Sequence, residues 1–308
     1  MLNKIKRKMK WGLPLSKVTD KISVVEGTGE PAVKPATIRQ YRDTCRRMID
    51  FFGHDAFVES ITRDEYAEYH HWLGQRGTSA ITVNTYRRCS RAIWNHLAQH
   101  GYDVCDIEGI TKMIAMPVQK SRAMSDEQLS RILEVASVRD SAIILYMAGA
   151  GFRRQTTGRI AVDNTKIWQR PDGYFRIASR IPAEKTSPPR VIMADHEPAL
   201  ACQLWLSIRR HQDSPWLFNT TSDGGQLADA TVSSIFHKIR KRANLPARVN
   251  INPHALRHRF AQKMLDQFDH KTVAQWLGID TNTLFEVYAF RSEDELLRKR
   301  FGELPPDW

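Results

Sequence analysis

Residues 252–260, with the sequence NPHALRHRF, form the stretch on which the fold and the chemistry of this chain depend most. Pro253 stands where a helix begins, so His254 and Arg257, three residues apart, share one face of its first turn. The backbone amides and the dipole of a helix N-terminus favour a bound phosphate. Arg257 would add two parallel donors to phosphate oxygens and His254 a third. The stretch therefore predicts a phosphate site, with a solvated basic helix face as the alternative.

Two more segments, one before and one after this stretch, place a charged or hydroxyl group at the end of an apolar element. Arg153 follows Gly151 and Phe152 directly after a predicted buried helix, which would hold the guanidinium rigidly, as a phosphate clamp requires. The alternative is a C-cap glycine followed by exposed arginines. Residues 276–288 form a predicted helical stretch that ends in Tyr288, and a lone tyrosine there gains meaning only from its neighbours.

The chain is strongly basic. Its 308 residues contain 46 Lys and Arg against 34 Asp and Glu, a formal net charge of +12, and this length allows two domains. A basic surface attracts polyanions, so nucleic acid is the favoured partner. No run approaches the roughly 18 apolar residues that cross a bilayer, and residues 1–17 lack the apolar core of a secretory signal. We therefore expect a cytoplasmic protein with no membrane partner.

The cysteines and the short motifs argue against several classes of site. Four cysteines are scattered without a CxxC pair, which disfavours a zinc site and a disulfide framework and favours reduced thiols: Cys45, Cys89, Cys105 and Cys202. No Walker loop, GxGxxG, HExxH or GxSxG is present, so nucleotide hydrolysis and zinc or serine hydrolase chemistry lose their usual signals. A metal-dependent nuclease would need a carboxylate cluster, and residues 125–308 contain none with convincing spacing.

Composition and periodicity divide the chain into four parts. We expect a basic, irregular N-terminal arm over residues 1–35, a helical domain over 36–114 and a linker over 115–124. Residues 125–308 form a second domain that is mostly helical with one small antiparallel β-sheet, and they end in a segment that is a candidate for oligomerisation.

Apolar residues at three- and four-residue steps predict the individual elements. In the first domain we expect helices over 36–52, with Thr37 as N-cap, and over 63–75, 80–100 and 105–113. In the second domain Ser125 and Gln128 predict a capping box. Its strands are expected at 174–177 and 190–193, and its helices at 125–134, 139–150, 197–211, 229–243, 254–267, 270–277, 281–289 and 293–300.

One helix of the first domain has a basic face that suits a DNA backbone. Residues 80–100 turn an apolar stripe inward, and the opposite face carries Arg87, Arg88 and Arg91. We expect these arginines to bind DNA phosphates. Lys120 and Arg122 make the linker basic as well, which suits a protein that wraps around a polyanion, although many linkers are simply polar.

Taken in order, the segments of the second domain resemble the catalytic domain of tyrosine recombinases, the phage-integrase family of site-specific DNA recombinases. That family carries a Gly-x-Arg segment after a buried helix, a lysine in a β-hairpin, a His-x-x-Arg segment, a Leu-Gly-His segment and a tyrosine nine residues after that last histidine. The matching residues are Gly151-Phe152-Arg153, Lys185, His254-Ala255-Leu256-Arg257-His258, Leu277-Gly278 and Tyr288. The resemblance implies a two-domain DNA clamp, with residues 36–114 as the core-binding domain.

The chain departs from the family pattern at two positions. Ile279 occupies the place of the family's second catalytic His or Trp, and isoleucine donates no hydrogen bond to phosphate. Loss of one transition-state donor typically costs about 10²–10³ in rate, so the chemistry need not be abolished. Thr156 stands where the family often has an acidic residue that supports the first arginine, here Arg153. We expect this second change to affect only that support.

The resemblance implies a role for each site residue. Tyr288 would attack a DNA phosphodiester while Arg153 and Arg257 clamp the charged oxygens, and His254 would act as a further donor or proton-transfer partner. Lys185 would protonate the leaving 5′-hydroxyl. The product would be a 3′-phosphotyrosine, and no ATP, metal or organic cofactor is implied.

The resemblance also implies an assembly on DNA. Two double-stranded recombination sites, belonging to a mobile genetic element in the nucleoid, would exchange strands through a Holliday junction in a homotetramer. Accessory DNA-bending proteins are compatible with this scheme. Residues 293–308 would dock on a neighbouring subunit, or form a helix packed in their own domain.

A second class of function stays open. Because Ile279 lacks the family's donor, the chain is alternatively a recombinase-derived DNA-binding or architectural protein with weakened catalysis. Covalent capture of nicked DNA separates an enzyme from such a binder.

Overall fold

The computed structural model describes residues 12–22, 33–110, 112–115, 123–184 and 187–288. The chain divides into two compact units, Met1–Val118 and Gln119–Trp308. Among the described residues, no helix is both long and apolar enough to cross a membrane. Three residues with predicted roles, Lys120, Arg122 and Lys185, lie outside the described residues, as do the predicted helix at 293–300 and the rest of the C-terminal segment.

The first unit is helical. Its elements are a 3₁₀ turn at Leu15–Lys17, α1 (Val18–Ile22), α2 (Pro35–Phe52), a 3₁₀ turn at Val58–Ser60, α3 (Arg63–Gln75) and α4 (Ala80–Gln99). Thr62 and Glu65 form a capping box at the start of α3, and the Ser79 side chain caps α4. The predictions for α3 and α4 are confirmed to within one residue.

Two predictions near the start of the first unit are wrong. Residues 12–22 belong to its core rather than to an irregular arm, because Leu15, Val18 and Ile22 recur at helical spacing and are at most 1% exposed. Helix α2 begins at Pro35, one residue before the predicted start, and its N-cap is Lys34 rather than Thr37. Proline is well suited to the first turn of a helix, since its missing N–H would have no helical acceptor there.

The helix expected at 105–113 is also absent from the described residues of that range. Arg63 at the start of α3 donates to the carbonyl oxygens of Asp106 at 2.7 Å and Glu108 at 2.6 Å. The Asp106 carboxylate accepts from the Glu108 amide at 2.9 Å. These bonds hold the chain in a turn, because they engage backbone carbonyls that a helix would use internally.

The second unit contains eight described α-helices and three strands. They are α5 (Asp126–Glu134), α6 (Val138–Ala150), the short α7 (Arg154–Thr157), β1 (Thr165–Gln169), β2 (Phe175–Ile181), β3 (Arg190–Ala194), α8 (His196–Ile208), α9 (Asp229–Arg242), α10 (Pro253–Leu265), α11 (His270–Leu277) and α12 (Thr281–Thr283), and a π-helical turn follows at Leu284–Tyr288. Ser125 and Gln128 form the predicted capping box of α5. Met124, placed in the linker by the sequence, is buried in this unit's core. The continuous helix expected at 281–289 is instead α12 followed by the π-helical turn.

The three strands form an antiparallel sheet in the order β1-β2-β3. In the register of the sheet, Ile177 of β2 pairs with Ile167 of β1 and with Ala194 of β3. The predicted strands β2 and β3 are confirmed, each somewhat longer than expected, whereas β1 was missed. Its residues are all half-buried or exposed, so they carry little of the apolar alternation by which a strand is recognised.

The apolar core of the second unit positions the site. Helix α6 is buried and packs against α8 and α10, while α8 covers β2. The C-terminal end of α6 therefore lies beside the first turns of α10. A second apolar cluster joins α10, α11 and the π-helical turn through Phe260, Leu277, Leu284 and Tyr288. The prediction of a mostly helical chain with a small antiparallel sheet in the second domain is confirmed.

Candidate active site

Arg257 stands at the centre of the site. Helix α10 begins at Pro253, and the Asn252 side chain caps it by accepting from the Ala255 amide at 3.0 Å. One turn later Arg257, 1% exposed, donates to the carbonyl oxygens of Gly151 and Leu277, both at 2.8 Å. Burial lowers the pKa of Arg257, but arginine keeps its charge in proteins. A fixed buried cation therefore lies where α6, α10 and α11 meet.

Tyr288 is held against this cation by the π-helical turn. Its hydroxyl accepts a hydrogen bond from Arg257 Nε at 2.9 Å. The Tyr288 ring lies 5.3 Å from Arg257 Cζ and 4.6 Å from the His258 ring, and the whole residue is 5% exposed. The Tyr288 oxygen, the atom that would attack an electrophile, therefore lies directly against a fixed positive charge.

Arg153 reaches the site from the other side of the Gly151 turn. Gly151 has φ +62°, and a Cβ there would lie 2.2 Å from the Phe260 ring, so the turn requires glycine. Arg153 occupies the N-cap position of α7, and its side chain donates from Nη1 to Ser187 Oγ at 2.6 Å and from Nη2 to the Gly278 carbonyl at 3.3 Å. Its side chain is 21% exposed, so it is fixed but open to a ligand.

A buried carboxylate supports Arg153 from an unexpected position. Glu184 Oε2 lies 3.8 Å from Arg153 Nη1 and 2.9 Å from Arg190 Nη2, and its side chain is 1% exposed. Its other oxygen accepts a hydrogen bond from Thr156 Oγ1 at 2.5 Å. A threonine at position 156 therefore does not leave Arg153 without a carboxylate, because Glu184 supplies one from the connection of the hairpin that β2 and β3 form.

The turn after α11 gathers these groups. Gly278 has φ +64°, and a Cβ there would lie 2.9 Å from Ser187 Oγ and 3.2 Å from Arg190 Nη1. The Gly278 carbonyl accepts from Ser187 Oγ at 2.5 Å as well as from Arg153. Arg153, Arg190 and Arg257 thus converge on two consecutive residues of one turn. The sequence indicated Arg190 only as a strand residue, although a basic residue opening the strand after Lys185 was the available sign.

The remaining predicted residues of this site are placed as follows. His254 lies on the first turn of α10 and is exposed. Glu184 and Ser187 pair across the hairpin through backbone bonds of 2.9 and 3.1 Å, and Lys185, which lies between them in sequence, is outside the described residues. Ile279 is half-buried against the apolar cluster that contains Tyr288. Its side chain makes an apolar contact at the position where the resemblance implies a donor.

The three arginines of α4 differ in their surroundings. Arg87 is half-buried and donates to the carbonyl oxygens of Lys112 and, at 3.2 Å, His70, and burial lowers its pKa. Arg88 and Arg91 are exposed. Arg87 thus joins α4 to α3 and to the segment that follows α4, while the other two face solvent.

The second unit and the whole chain match known proteins in sequence. The model of the phage integrase family matches residues 122–293. The tyrosine recombinase XerC of Oceanobacillus iheyensis is 23% identical over 288 residues, which cover 87% of this chain and 89% of the relative. The tyrosine recombinase XerD of Brucella suis is 32% identical over 117 residues, which cover 36% of this chain and 38% of the relative.

Solved structures share the fold at low sequence identity. A lambda integrase dimer bound to a COC′ core site superposes with a TM-score of 0.72 at 16% identity, covering 99% of this chain and 83% of that one. The Tn1549 transposon integrase in complex with transposon right end DNA superposes with a TM-score of 0.66 at 15% identity, covering 94% and 100%. Both comparisons span the two units of the chain.

Proposed function

Since the chain belongs to the phage integrase family of tyrosine recombinases, we propose that it is a site-specific recombinase that cleaves and rejoins DNA through Tyr288. One observation carries this proposal: the Tyr288 hydroxyl accepts from the buried Arg257 at 2.9 Å. A tyrosine kept only for packing would not need a buried cation beside its oxygen, since burying that cation is costly.

The cleavage step is an in-line displacement at phosphorus. The Tyr288 oxygen attacks the scissile phosphodiester and forms a P–O bond, the bond to the 5′-oxygen breaks, and the product is a 3′-phosphotyrosine. His254, on the first turn of α10, accepts the phenol proton, and Lys185 gives a proton to the leaving 5′-oxygen. The 5′-hydroxyl of a partner strand reverses the step and releases Tyr288.

The arginines stabilise the charge that develops on the phosphate oxygens. A guanidinium has five N–H donors. Arg257 uses three of its donors in hydrogen bonds to Gly151, Leu277 and Tyr288. Arg153 uses two, to Ser187 and Gly278. Both side chains therefore retain donors for a ligand. Because their positions are fixed before DNA binds, little reorganisation is needed in the transition state, and each such donor is worth about 10²–10³ in rate.

The partner in this proposal is a pair of duplex recombination sites. The first unit would bind DNA phosphates through the exposed Arg88 and Arg91. The lambda integrase and Tn1549 integrase structures of the same fold hold DNA, which supports a duplex as the ligand. Strand exchange through a Holliday junction would then occur in a tetramer.

Ile279 favours one alternative function. If cleavage depends on a donor at this position, the chain is a recombinase-derived DNA-binding or architectural protein with weakened catalysis. The Arg257–Tyr288 bond and the fixed Arg153 argue against that loss, because a binder would need neither.

Covalent capture of DNA tests the proposal. Duplexes tiled across the DNA that flanks the gene, each with a nick at a different position, are incubated with the protein and resolved on a denaturing gel. A nick just downstream of the scissile phosphate lets the short 5′-hydroxyl fragment diffuse away and traps the adduct. We expect a covalent band with wild type, in the presence of EDTA, and none with Tyr288→Phe, which still shifts the same duplex. Binding without an adduct by wild type would favour the alternative.

A further inference from the structure

We propose that Arg190 contacts the scissile phosphate and supplies the hydrogen bond that Ile279 lacks. The inference rests on the proposed function, and it assigns a further donor to the same site. Arg190 opens β3 at the edge of the hairpin, next to the turn on which Arg153 and Arg257 converge.

The first observation is that Arg190 is buried with donors left over. Its side chain is 7% exposed, and Nη2 donates to Glu184 Oε2 at 2.9 Å. Nε and Nη1 are both buried and make no hydrogen bond to any described part of the chain. Desolvated donors without acceptors cost free energy, more so on a charged group, so two such donors on one guanidinium call for an explanation.

The pattern of unpaired atoms distinguishes Arg190 from other buried arginines. Arg87, Arg209 and Arg259 each leave only a buried Nε unpaired, whereas Arg190 also leaves the terminal Nη1 unpaired. Arg209 is buried to a similar degree but pairs both of its terminal amino groups. Its Nη1 donates to the carbonyl oxygen of Trp216 at 2.7 Å, and its Nη2 donates to that of Gln212 at 2.6 Å. Arg209 therefore stabilises a loop, while Arg190 leaves one terminal amino group without an acceptor.

The second observation is where Nη1 lies. A Cβ built on Gly278 would be 3.2 Å from it, so Nη1 borders the residue that precedes Ile279 in the chain. Arg153 and Arg190 also share Glu184 Oε2, at 3.8 and 2.9 Å. The pKa of Arg257 is lowered chiefly by burial and further by the charges of Arg153 and Arg190. The three guanidiniums are therefore close enough to act on one another.

The balance of charge calls for an anion. Three guanidiniums, from Arg153, Arg190 and Arg257, face one buried carboxylate, Glu184, which leaves a surplus of positive charge at the turn. A phosphodiester supplies one negative charge and two non-bridging oxygens, so it satisfies both the charge and the unpaired donors. Glu184 fixes the plane of Arg190 through Nη2 and leaves Nε and Nη1 for the ligand.

Single-turnover cleavage of the nicked duplex found by covalent capture tests the contact. We expect Arg190→Gln to cleave about 10²–10³-fold more slowly than wild type, and Arg190→Lys to recover part of the rate. Both enzymes are then compared on the same duplex with a neutral methylphosphonate at the scissile position, in each diastereomer. Where the methyl group replaces the oxygen that Arg190 contacts, the ratio of wild-type to variant rate should fall close to one. An equal deficit on all substrates would assign Arg190 a structural role and overturn the proposal.

Arg209→Gln is the matched control, because it also removes a buried arginine of the same unit. We expect Arg209→Gln to lower the melting temperature. The ratio of its cleavage rate to that of wild type should be the same on the natural duplex and on the methylphosphonate duplexes. If wild type forms no covalent adduct with any duplex, the proposed function fails. The salt dependence of noncovalent DNA binding then tests by itself whether Arg190 contacts a DNA phosphate. Loss of a phosphate contact lowers that slope by about 0.9, and an unchanged slope in Arg190→Gln overturns the contact.

Discussion

Glu184 shows how one side chain can compensate for a change elsewhere in a site. Its carboxylate accepts from Thr156 and lies within 4 Å of two arginines. Thr156 and Glu184 keep one hydroxyl and one carboxylate in contact, with the carboxylate on the hairpin rather than on α7. The two positions therefore form a unit whose members are exchangeable in principle.

The first prediction exchanges them. Glu184→Thr should slow cleavage about 10-fold or more, because it removes the carboxylate beside Arg153 and the acceptor of the buried Arg190. Thr156→Glu alone should also slow it, since two buried carboxylates would repel each other. The double variant Thr156→Glu/Glu184→Thr should cleave faster than either single variant. Single-turnover rates give the comparison, and additive losses in the double variant would mean that the pair is not coupled.

The second prediction concerns Ile279. The side chain is half-buried against the cluster of Leu277, Leu284 and Tyr288, so a histidine there places a polar ring in an apolar contact. We expect Ile279→His to lower the melting temperature and to leave the cleavage rate equal or lower. Ile279→Val, which keeps the apolar contact, is the control and should stay close to wild type. A faster Ile279→His enzyme would mean that the site does lack a donor at this position.

At the scale of elements, α4 separates two roles that its sequence groups together. Arg87 ties α4 to the carbonyl oxygens of His70 and Lys112, while Arg88 and Arg91 are exposed. We predict that Arg88→Ala/Arg91→Ala lowers the salt dependence of DNA binding by about 0.9 in slope per lost contact, with the melting temperature unchanged. Arg87→Ala should instead lower the melting temperature. The test is the dissociation constant of a duplex over a series of salt concentrations. A changed salt dependence in Arg87→Ala, with none in the double variant, would place the DNA on another face of α4.

Helix α3 makes the first unit sensitive to acid. His70 is 2% exposed, packs between Tyr66 and Tyr69, and leaves Nδ1 unpaired. Burial lowers the pKa of His70 from 6.5 to about 4, with Arg87 adding to the effect. The unfolded chain therefore takes up this proton near pH 6.5, whereas the folded chain resists it until about pH 4.

This difference gives the sign of the fourth prediction. The contribution of neutral His70 is fully present above pH 6.5 and is lost as the pH falls towards 4, an effect of about 3 kcal/mol on the free energy of unfolding. His70→Phe, which cannot take up the proton, should lose less melting temperature between pH 7 and pH 5 than wild type. His71→Phe changes the exposed neighbour on the same helix and should behave as wild type. An identical acid response in all three proteins would contradict the assignment.

At the scale of the whole molecule, periodicity and ordered motifs allowed more of the fold than of the site to be predicted. Long amphipathic helices such as α3 were placed closely because their apolar spacing and caps are local. Strand β1 and the turn at 106–108 were not predicted. Both depend on contacts with distant parts of the chain, namely the pairing of β1 with β2 and the hydrogen bonds from Arg63 to backbone carbonyls, and local sequence does not show these. The same holds for Glu184 and Arg190, whose roles depend on contacts across the hairpin and α11.

The last prediction concerns the complete reaction on DNA. A 3′-phosphotyrosine conserves the energy of the broken bond, so the trapped adduct should rejoin to an added strand without ATP or metal. We expect an annealing oligonucleotide with a 5′-hydroxyl, added to the isolated adduct in EDTA, to give a full-length strand and free protein on a sequencing gel. The same oligonucleotide with a 5′-phosphate should not react, since it has no hydroxyl to attack. Release of the DNA by water without rejoining would point to a hydrolase, and rejoining only when a divalent metal is added would mean that strand transfer depends on a metal. A recombinase has to hold Tyr288, the Arg153 and Arg257 clamps and the incoming strand together, and rejoining tests that arrangement as a whole.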